Sequence, residues 1–231
     1  MTIAVGAHVS KHSTSLVTVT TTNAVTSTAS GSSFVVFTTT GGATAPTITD
    51  SKGNTYTQIG STIAGGLGYC AAAYIKVNGT GGSSHTFTAT TGTNENTSLY
   101  AVEVTGALTT ASIQDRSPAG ILDTASPYTT NLTGATTQAN ELLLAFAATG
   151  TASGTETLTW GNSFTAIDAE GDANFSTGGD AQLVVSAMGS YQGSVTSSGA
   201  GTTEAVMFIL SLRSAVPGNP VGIFYGGGTT S

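Results

Sequence analysis

Two glutamates, Glu103 and Glu204, are candidates for a catalytic pair of carboxylates. Glu103 and Glu204 each accompany a long apolar run, one in each half of the chain, so that equivalent strands would carry them. Two carboxyl groups that flank a sugar linkage are the catalytic pair of a glycosidase. The simpler interpretation places each glutamate on a solvent face, or opposite Lys76 or Arg213 on a neighbouring strand. We adopt the simpler interpretation and predict no catalytic residue.

The densest acidic segment spans residues 168–172 and contains Asp168, Glu170 and Asp172, with Asp180 nearby. Carboxylates at alternate positions are oxygen ligands of the kind that Ca²⁺ takes. The segment lacks the central glycine and the final glutamate of the EF-hand calcium loop. We therefore expect a solvated loop without a metal, and cation binding is the alternative.

The other nucleophiles and metal ligands are isolated. His8, His12 and His85 are the only histidines, and no cysteine or carboxylate accompanies the first two at a spacing that would complete a metal site. The nucleophile motif Gly-x-Ser-x-Gly is absent, and Ser194 has no evident base. The single cysteine, Cys70, lies in an apolar run and is expected to pack as a small buried side chain. We predict neither a metal nor a cofactor.

The charge content limits the partners that the chain can bind. Only 7% of the residues are charged, with 5 basic and 12 acidic side chains and a net charge of −7. The basic residues are scattered, whereas nucleic acids and anionic membranes are bound by clustered basic residues. No apolar run approaches the ~20 residues of a membrane span, and the first residues do not resemble a signal peptide. We therefore predict no nucleic-acid partner and no membrane partner.

Short runs in which apolar residues alternate with Thr, Ser or Gly recur along the whole chain, and each is separated from the next by a turn signal. Alternation with a period of two predicts strands, and no segment shows convincing helical periodicity. The predicted strands are 15–20, 33–38, 55–59, 72–77, 85–89, 99–104, 141–147, 157–160, 182–188, 193–196 and 205–212. This pattern predicts an all-β protein, a jelly-roll or immunoglobulin-like β-sandwich.

The strand pattern occurs twice. The run at 140–146 corresponds to that at 32–37, and each is followed by a turn-rich stretch, an apolar run, a short Thr-rich strand and a long final strand. We predict two packed, weakly duplicated halves, 1–108 and 139–214. Residues 109–138 form a bridging segment, and residues 215–231 form an extended C-terminal arm.

Aromatic residues could form a platform on which a sugar stacks. The candidates are Trp160, Tyr56, Tyr69, Tyr74 and Tyr191. They are spread over many strands at pleat spacing, so packing within the core and along sheet edges is the favoured interpretation.

The sheet edges and the tail favour an assembly. The predicted strands have few of the lysines and prolines that normally keep free edges apart, so neighbouring subunits could cover them. Ile223, Phe224 and Tyr225 follow two prolines and precede three glycines, an arrangement suited to an arm that docks on a partner. We predict a homo-oligomer in which these three residues bind the partner.

Four segments together carry a resemblance: 47–56, 71–75, 86–88 and 100–106. They resemble a β-sandwich module of tailed-phage virion proteins and some bacterial surface proteins, in which a "vSDsxGNtY" turn precedes a strand ending in "EysG". Here Glu103 is followed by Val104, Thr105 and Gly106, a near match within a resemblance that covers residues 14–213.

The resemblance implies a structural or adhesive role and supplies no catalytic residue. It favours a capsid decoration, tail or fibre protein that is assembled in the host cytoplasm and binds itself and other virion proteins. The alternative is a carbohydrate-binding or adhesive module on a cell surface, with a glycan as its ligand.

Overall fold

The structure is a computed structural model that describes residues 2–13, 17–117, 120–150, 156–171, 176–198 and 204–215. The predicted partner-binding residues Ile223, Phe224 and Tyr225 lie outside the described residues. Antiparallel strands dominate the described part, which contains one short 3₁₀ helix, Ala111–Ile113. No described helix is long and apolar enough to cross a membrane. The predicted all-β class is confirmed.

The strands form two sets. The first set comprises β1 (Ala4–His12), β2 (Val17–Thr21), β3 (Ser30–Thr40), β4 (Thr47–Asp50), β5 (Thr57–Ala64), β6 (Cys70–Thr80), β7 (Phe87–Glu95) and β8 (Thr97–Thr105). The second set comprises β9 (Gln114–Arg116), β10 (Ile121–Asp123), β11 (Tyr128–Thr129), β12 (Glu141–Gly150), β13 (Leu158–Trp160), β14 (Thr165–Gly171), β15 (Ser176–Val185), β16 (Ser194–Ser197) and β17 (Ala205–Arg213).

Each set folds into one large and one small sheet, and the two sets have the same strand order. The first large sheet runs β1-β8-β3-β6-β5 and the first small sheet β2-β7-β4; the second large sheet runs β10-β17-β12-β15-β14 and the second small sheet β11-β16-β13. In both sets the first strand therefore pairs with the eighth, the second with the seventh and the third with the sixth, if β9, which adds to β17, is left out. These are the strand pairings of a jelly roll, with one difference: the fifth strand of each set joins the large sheet beside the sixth strand and not the small sheet beside the fourth. The chain is a duplicated pair of jelly rolls.

The segment 109–138, predicted as a bridge, contributes strands to the second jelly roll. Strand β9 and strand β10 both pair with β17, and β11 pairs with β16. These strands are only two or three residues long, so the sequence pattern shows them weakly.

Four layers result, because the two large sheets pack against each other and a small sheet covers the outer face of each. At the centre the rings of Phe37 and Phe146 stack with centroids 5.1 Å apart and planes inclined by 2°. Alternate residues of β3 face opposite ways: Val35 lies in the central core, and Phe34 and Val36 lie beneath the small sheet. Since both faces of the large sheets are buried, charged side chains have little room on their strands, which accounts for the low charge content.

Candidate functional site

A buried carboxylate organises the turn between β4 and β5. Oδ1 of Asp50 accepts hydrogen bonds from the amides of Lys52 (2.9 Å) and Asn54 (3.0 Å). Its Oδ2 accepts from Asn54 Nδ2 (2.6 Å) and the Tyr56 hydroxyl (2.8 Å), and lies 2.9 Å from His85 Nε2. The Asp50 side chain is inaccessible to solvent. Burial alone would raise its pKa, but the hydrogen bonds from Asn54, His85 and Tyr56 outweigh burial and lower it.

The same aspartate begins a hydrogen-bonded chain of Asp, His and Ser. His85 Nδ1 lies 2.8 Å from Ser27 Oγ, and Ser27 Oγ also accepts the amide of Gly82 at 3.1 Å. His85 is completely buried, with its ring stacked on Phe87. A catalytic serine must reach a substrate, whereas this hydroxyl is covered: a Cβ added to Gly81 would lie 2.5 Å from it. These hydrogen bonds therefore hold the segments that contain Ser27 and His85 against the β4–β5 turn.

This polar centre explains the motif on which the resemblance rests. Asp50, Asn54 and Tyr56 are the motif positions whose side chains meet, and Gly53 adopts φ +75°, a conformation that favours glycine. The sequence interpretation recognised the turn but missed its partners Ser27 and His85. Their distance along the chain hides them, and the one available signal is that His85 begins a predicted strand.

A cleft of about 450 Å³ opens beside this turn, between β4 and β5. Tyr74 and Tyr56 both line it. The Tyr74 hydroxyl donates to the carbonyl of Pro46 at 2.6 Å, and the Tyr56 hydroxyl is held by Asp50. Two of the five aromatic candidates are thus together in one cleft.

The remaining aromatic candidates lie elsewhere. Tyr69 is buried between the two large sheets and donates to the carbonyl of Ala148 at 3.1 Å. Trp160 packs near Phe164 beneath the second small sheet, and Tyr191 packs on the neighbouring part of the second jelly roll. The five candidates do not form a single platform.

Glu103 is buried and not solvent-facing, and no basic residue of the described ranges forms an ion pair with it, so the expectation for Glu103 is wrong. Glu103 is 3% exposed, and its carboxylate accepts hydrogen bonds from the backbone amides of Ala7 (3.0 Å) and Thr28 (2.8 Å). Burial would raise its pKa, but the hydrogen bonds from Ser32, Ala7 and Thr28 lower it on balance. The carboxylate thereby holds two neighbouring segments against β8.

Glu204 is likewise buried, at 7% exposure, and accepts the amide of Leu67 at 3.0 Å. It directly precedes β17, whereas Glu103 lies near the far end of the equivalent strand β8, opposite Phe34. The two carboxylates therefore occupy opposite ends of equivalent strands, and among the described residues their hydrogen-bond donors are different. They do not form the facing pair that glycoside hydrolysis requires.

The expected partner Arg213 binds a different carboxylate. Its guanidinium forms an ion pair with Asp115, and its Nη1 donates to the carbonyl of Ser112 at 2.8 Å. Asp115 also accepts from the hydroxyl of Thr137 at 2.7 Å. Beside this group, burial and then the Asp115 carboxylate raise the pKa of Glu141 to about 7.

The acidic segment is a strand and not a solvated loop, so that expectation is also wrong. Residues 168–171 belong to β14, which packs against β1 of the first jelly roll. His8 Nδ1 lies 3.0 Å from Asp168 Oδ2, and Ser10 donates to Glu170 at 2.8 Å. Asp172 lies outside the described residues. These contacts form a polar seam between the two jelly rolls.

Asp180 lies behind the seam, fully buried, and its Oδ1 accepts the amide of Asp168 at 2.9 Å. Burial, followed by the charge of Asp168, raises the pKa of Asp180 to about 8. His12 is buried with Nδ1 2.8 Å from Ser98 Oγ, and Cys70 is 1% exposed, with a thiol pKa that burial raises. Within the described ranges, no group of three or more His, Cys, Asp or Glu residues is placed to hold a metal ion.

Three large apolar side chains of the second jelly roll are exposed: Leu132 (59% exposed), Val184 (47%) and Met188 (66%). Residues 130–136 and 189–193 run side by side, because the amides of Thr133 and Thr136 donate to the carbonyls of Tyr191 and Gly189. Leu132 lies within the first of these segments, Met188 directly precedes the second, and Val184 lines a groove with Tyr191.

The fold defines a class, a protein of two jelly rolls packed through their large sheets. No protein-family model, no curated protein and no solved structure matches the chain.

Proposed function

We propose that the chain is a non-enzymatic structural protein of a tailed-phage virion, a capsid decoration, tail or fibre component. It binds other copies of itself and other virion proteins through its sheet surfaces and its C-terminal arm. The alternative location is a cell surface, where a related module would serve adhesion.

The observation that carries this proposal is the duplicated jelly roll itself. Jelly rolls are a recurrent architecture of viral capsid proteins. Here the two copies are joined by a continuous apolar core, which makes a rigid block of four layers. The buried carboxylates Asp50, Glu103 and Glu204 all bind backbone amides of this block, a use that stabilises the fold.

The exposed side chains of Leu132, Val184 and Met188 support association. Each leaves apolar surface in water, so burial of these side chains against a partner would be favourable. The arm residues Ile223, Phe224 and Tyr225 are apolar and can supply such a partner surface from a second copy.

The experiment is the mass of the purified chain in solution, measured by light scattering. The full chain should form a defined oligomer, and a deletion of residues 221–231 should reduce it to monomers. A length-matched variant with Ile223→Ser, Phe224→Ser and Tyr225→Ser separates loss of the apolar side chains from loss of chain length. If the shortened chain assembles as well as the full chain, the arm does not drive assembly.

Two further measurements test the assembly and its setting. Val184→Ser with Met188→Ser should weaken the oligomer while the thermal unfolding midpoint stays nearly constant, because both side chains are exposed. Antibodies against the purified chain should label phage particles from the source cells in electron micrographs. A full chain that is a stable monomer, with no labelled particles, would contradict the proposal.

A further inference from the structure

We infer that the cleft between β4 and β5 is a binding site for a neutral saccharide. This inference concerns the first jelly roll and goes beyond the structural role, because saccharide binding does not depend on assembly. The cleft is lined by residues 45–49 and 54–56, by Gln58 and by Tyr74.

The topology explains why a cleft exists at this place. Strand β4 pairs with β7 in the small sheet, and β5 pairs with β6 in the large sheet, so the described strands leave these two edges unpaired with each other. The sandwich is consequently open along this side. The volume of the cleft, about 450 Å³, is within the range of small-molecule sites.

The open edge of β4 offers backbone groups to a ligand. The amide of Ser51 donates to the carbonyl of Thr86, so these two residues form a hydrogen-bonded pair of the ladder. In an antiparallel ladder the backbone groups alternate between the partner strand and the opposite side. The N–H and C=O of Thr49 therefore point to β7, and those of Ile48 point to the open side.

The two tyrosines supply carbon surface in a fixed position. Their hydroxyls are bound by Pro46 and Asp50, so the part of each ring that remains to line the cleft is its carbon framework. Tyr74 is 6% exposed and Tyr56 is half-buried. A rigid aromatic surface of this kind packs against the C–H face of a sugar ring.

The rim supplies groups that both donate and accept hydrogen bonds. Thr47, Thr49, Thr55 and Gln58 are exposed residues of the lining. Sugar hydroxyls also donate and accept, so hydroxyl and amide groups complement them. None of the described residues that line the cleft is charged, which disfavours phosphates, carboxylates and cationic ligands and favours a neutral saccharide.

The second jelly roll provides an internal comparison. Phe164 directly precedes β14 as Tyr56 directly precedes β5, but Phe164 is 6% exposed and packs near Trp160. At the position where Asp50 ends β4, the equivalent strand β13 ends with Trp160, which cannot supply the carboxylate of the Asp50 polar centre. The inference is therefore restricted to the first jelly roll.

The test uses the full chain on an array of neutral oligosaccharides of glucose, galactose, mannose and N-acetylglucosamine, with sialylated and sulfated oligosaccharides beside them. A neutral oligosaccharide should bind, and calorimetry should then give its affinity. Tyr56→Ala should weaken binding about tenfold through the lost ring contact. Gln58→Ala should weaken it roughly threefold through one lost hydrogen bond.

Tyr191→Ala is the matched control, since Tyr191 is a half-buried tyrosine of the second jelly roll. Its binding should equal that of the unaltered chain. Gln58→Ala keeps the test decisive if Tyr56→Ala fails to fold, because Gln58 is exposed and its side chain, within the described part of the chain, hydrogen-bonds to Thr62 alone. The inference is overturned by absence of binding to every neutral probe, by binding to the charged probes alone, or by binding that Tyr191→Ala removes and Gln58→Ala leaves intact.

Discussion

Replacing Glu141 by glutamine should remove much of the loss of stability that we expect as pH rises through about 7. Glu141 is the first residue of β12, is 0% exposed, and lies beside the ion pair of Asp115 and Arg213. Burial and the Asp115 carboxylate raise its pKa from 4.5 to about 7. Glutamine has nearly the same shape and carries no charge at any pH.

The direction in which the free energy of unfolding changes with pH follows from proton linkage. The folded state holds the Glu141 proton more tightly than the unfolded state, so this group's contribution to stability is complete below its ordinary pKa. The contribution is lost as pH rises through the folded-state pKa of about 7. One pKa unit corresponds to about 1.4 kcal/mol, so the loss amounts to roughly 3 kcal/mol.

The assay is urea unfolding between about pH 5 and pH 9, followed by the fluorescence of Trp160, the only tryptophan. At the acidic end the free energies of unfolding of the wild type and Glu141→Gln should agree within about 1 kcal/mol. At the alkaline end the variant should be more stable by roughly 3 kcal/mol. Asp180, whose pKa is raised to about 8, contributes a decline of the same sign to both proteins and cancels in the difference.

Glu95→Gln is the control for the loss of one negative charge, because Glu95 lies at the end of β7, half-buried, and accepts the Thr93 hydroxyl. Its curve should run parallel to that of the wild type. If the curve of Glu141→Gln is also parallel to the wild type throughout, Glu141 ionises in the folded state without cost, and the reasoning from its burial is refuted.

Three further changes test the packing and the buried polar groups. Asp50→Ala removes the acceptor of the β4–β5 turn and should lower the free energy of unfolding at neutral pH by at least about 3 kcal/mol. Because the pKa of Asp50 is lowered, its contribution exists above the ordinary pKa and disappears as pH falls; a difference from the wild type that is constant down to about pH 2 would contradict this. Phe146→Ala removes a ring stacked on Phe37 and should cost about 3–5 kcal/mol in urea unfolding, whereas a cost below about 1 kcal/mol would exclude a tightly packed central core. Glu103→Gln turns an amide group toward backbone donors such as the Thr28 amide and should cost about 1–3 kcal/mol, and an unchanged thermal midpoint would refute this.

The sequence predicts the interior strands well. The runs at 33–38, 99–104, 141–147 and 205–212 fall within β3, β8, β12 and β17, the central strands of the large sheets. These strands bury both faces and are therefore rich in apolar residues over their whole length. A strong local composition of this kind is visible without any knowledge of the neighbouring strands.

The edge strands at the seam are missed for the opposite reason. The sequence pattern predicts no strand at residues 4–12 and predicts a loop for the acidic segment at 168–172. They are strands β1 and β14 because the two jelly rolls bring them together, with His8 bonded to Asp168 and Ser10 to Glu170. Each of these contacts joins residues 160 positions apart, so no local pattern can indicate them.

The candidate site also combines features that are evident from the sequence with features that only the tertiary structure shows. The turn motif with Asp50, Asn54 and Tyr56 is evident from the sequence, because its residues are close along the chain. The partners Ser27 and His85, and the cleft that Tyr56 shares with Tyr74, depend on which strands pair and which edges stay open.

The sequence by itself determined the all-β class, the repetition of one strand pattern and the low content of basic residues, since each depends on composition or on local periodicity. The tertiary structure alone decided that the large sheets face each other, that Glu103 and Glu204 lie apart and buried, and that a cleft opens beside the Asp50 turn. The physical reason is that antiparallel ladders join residues far apart in the chain. Burial, partner and pKa of each polar side chain are then set by the strand opposite it and not by its neighbours in sequence.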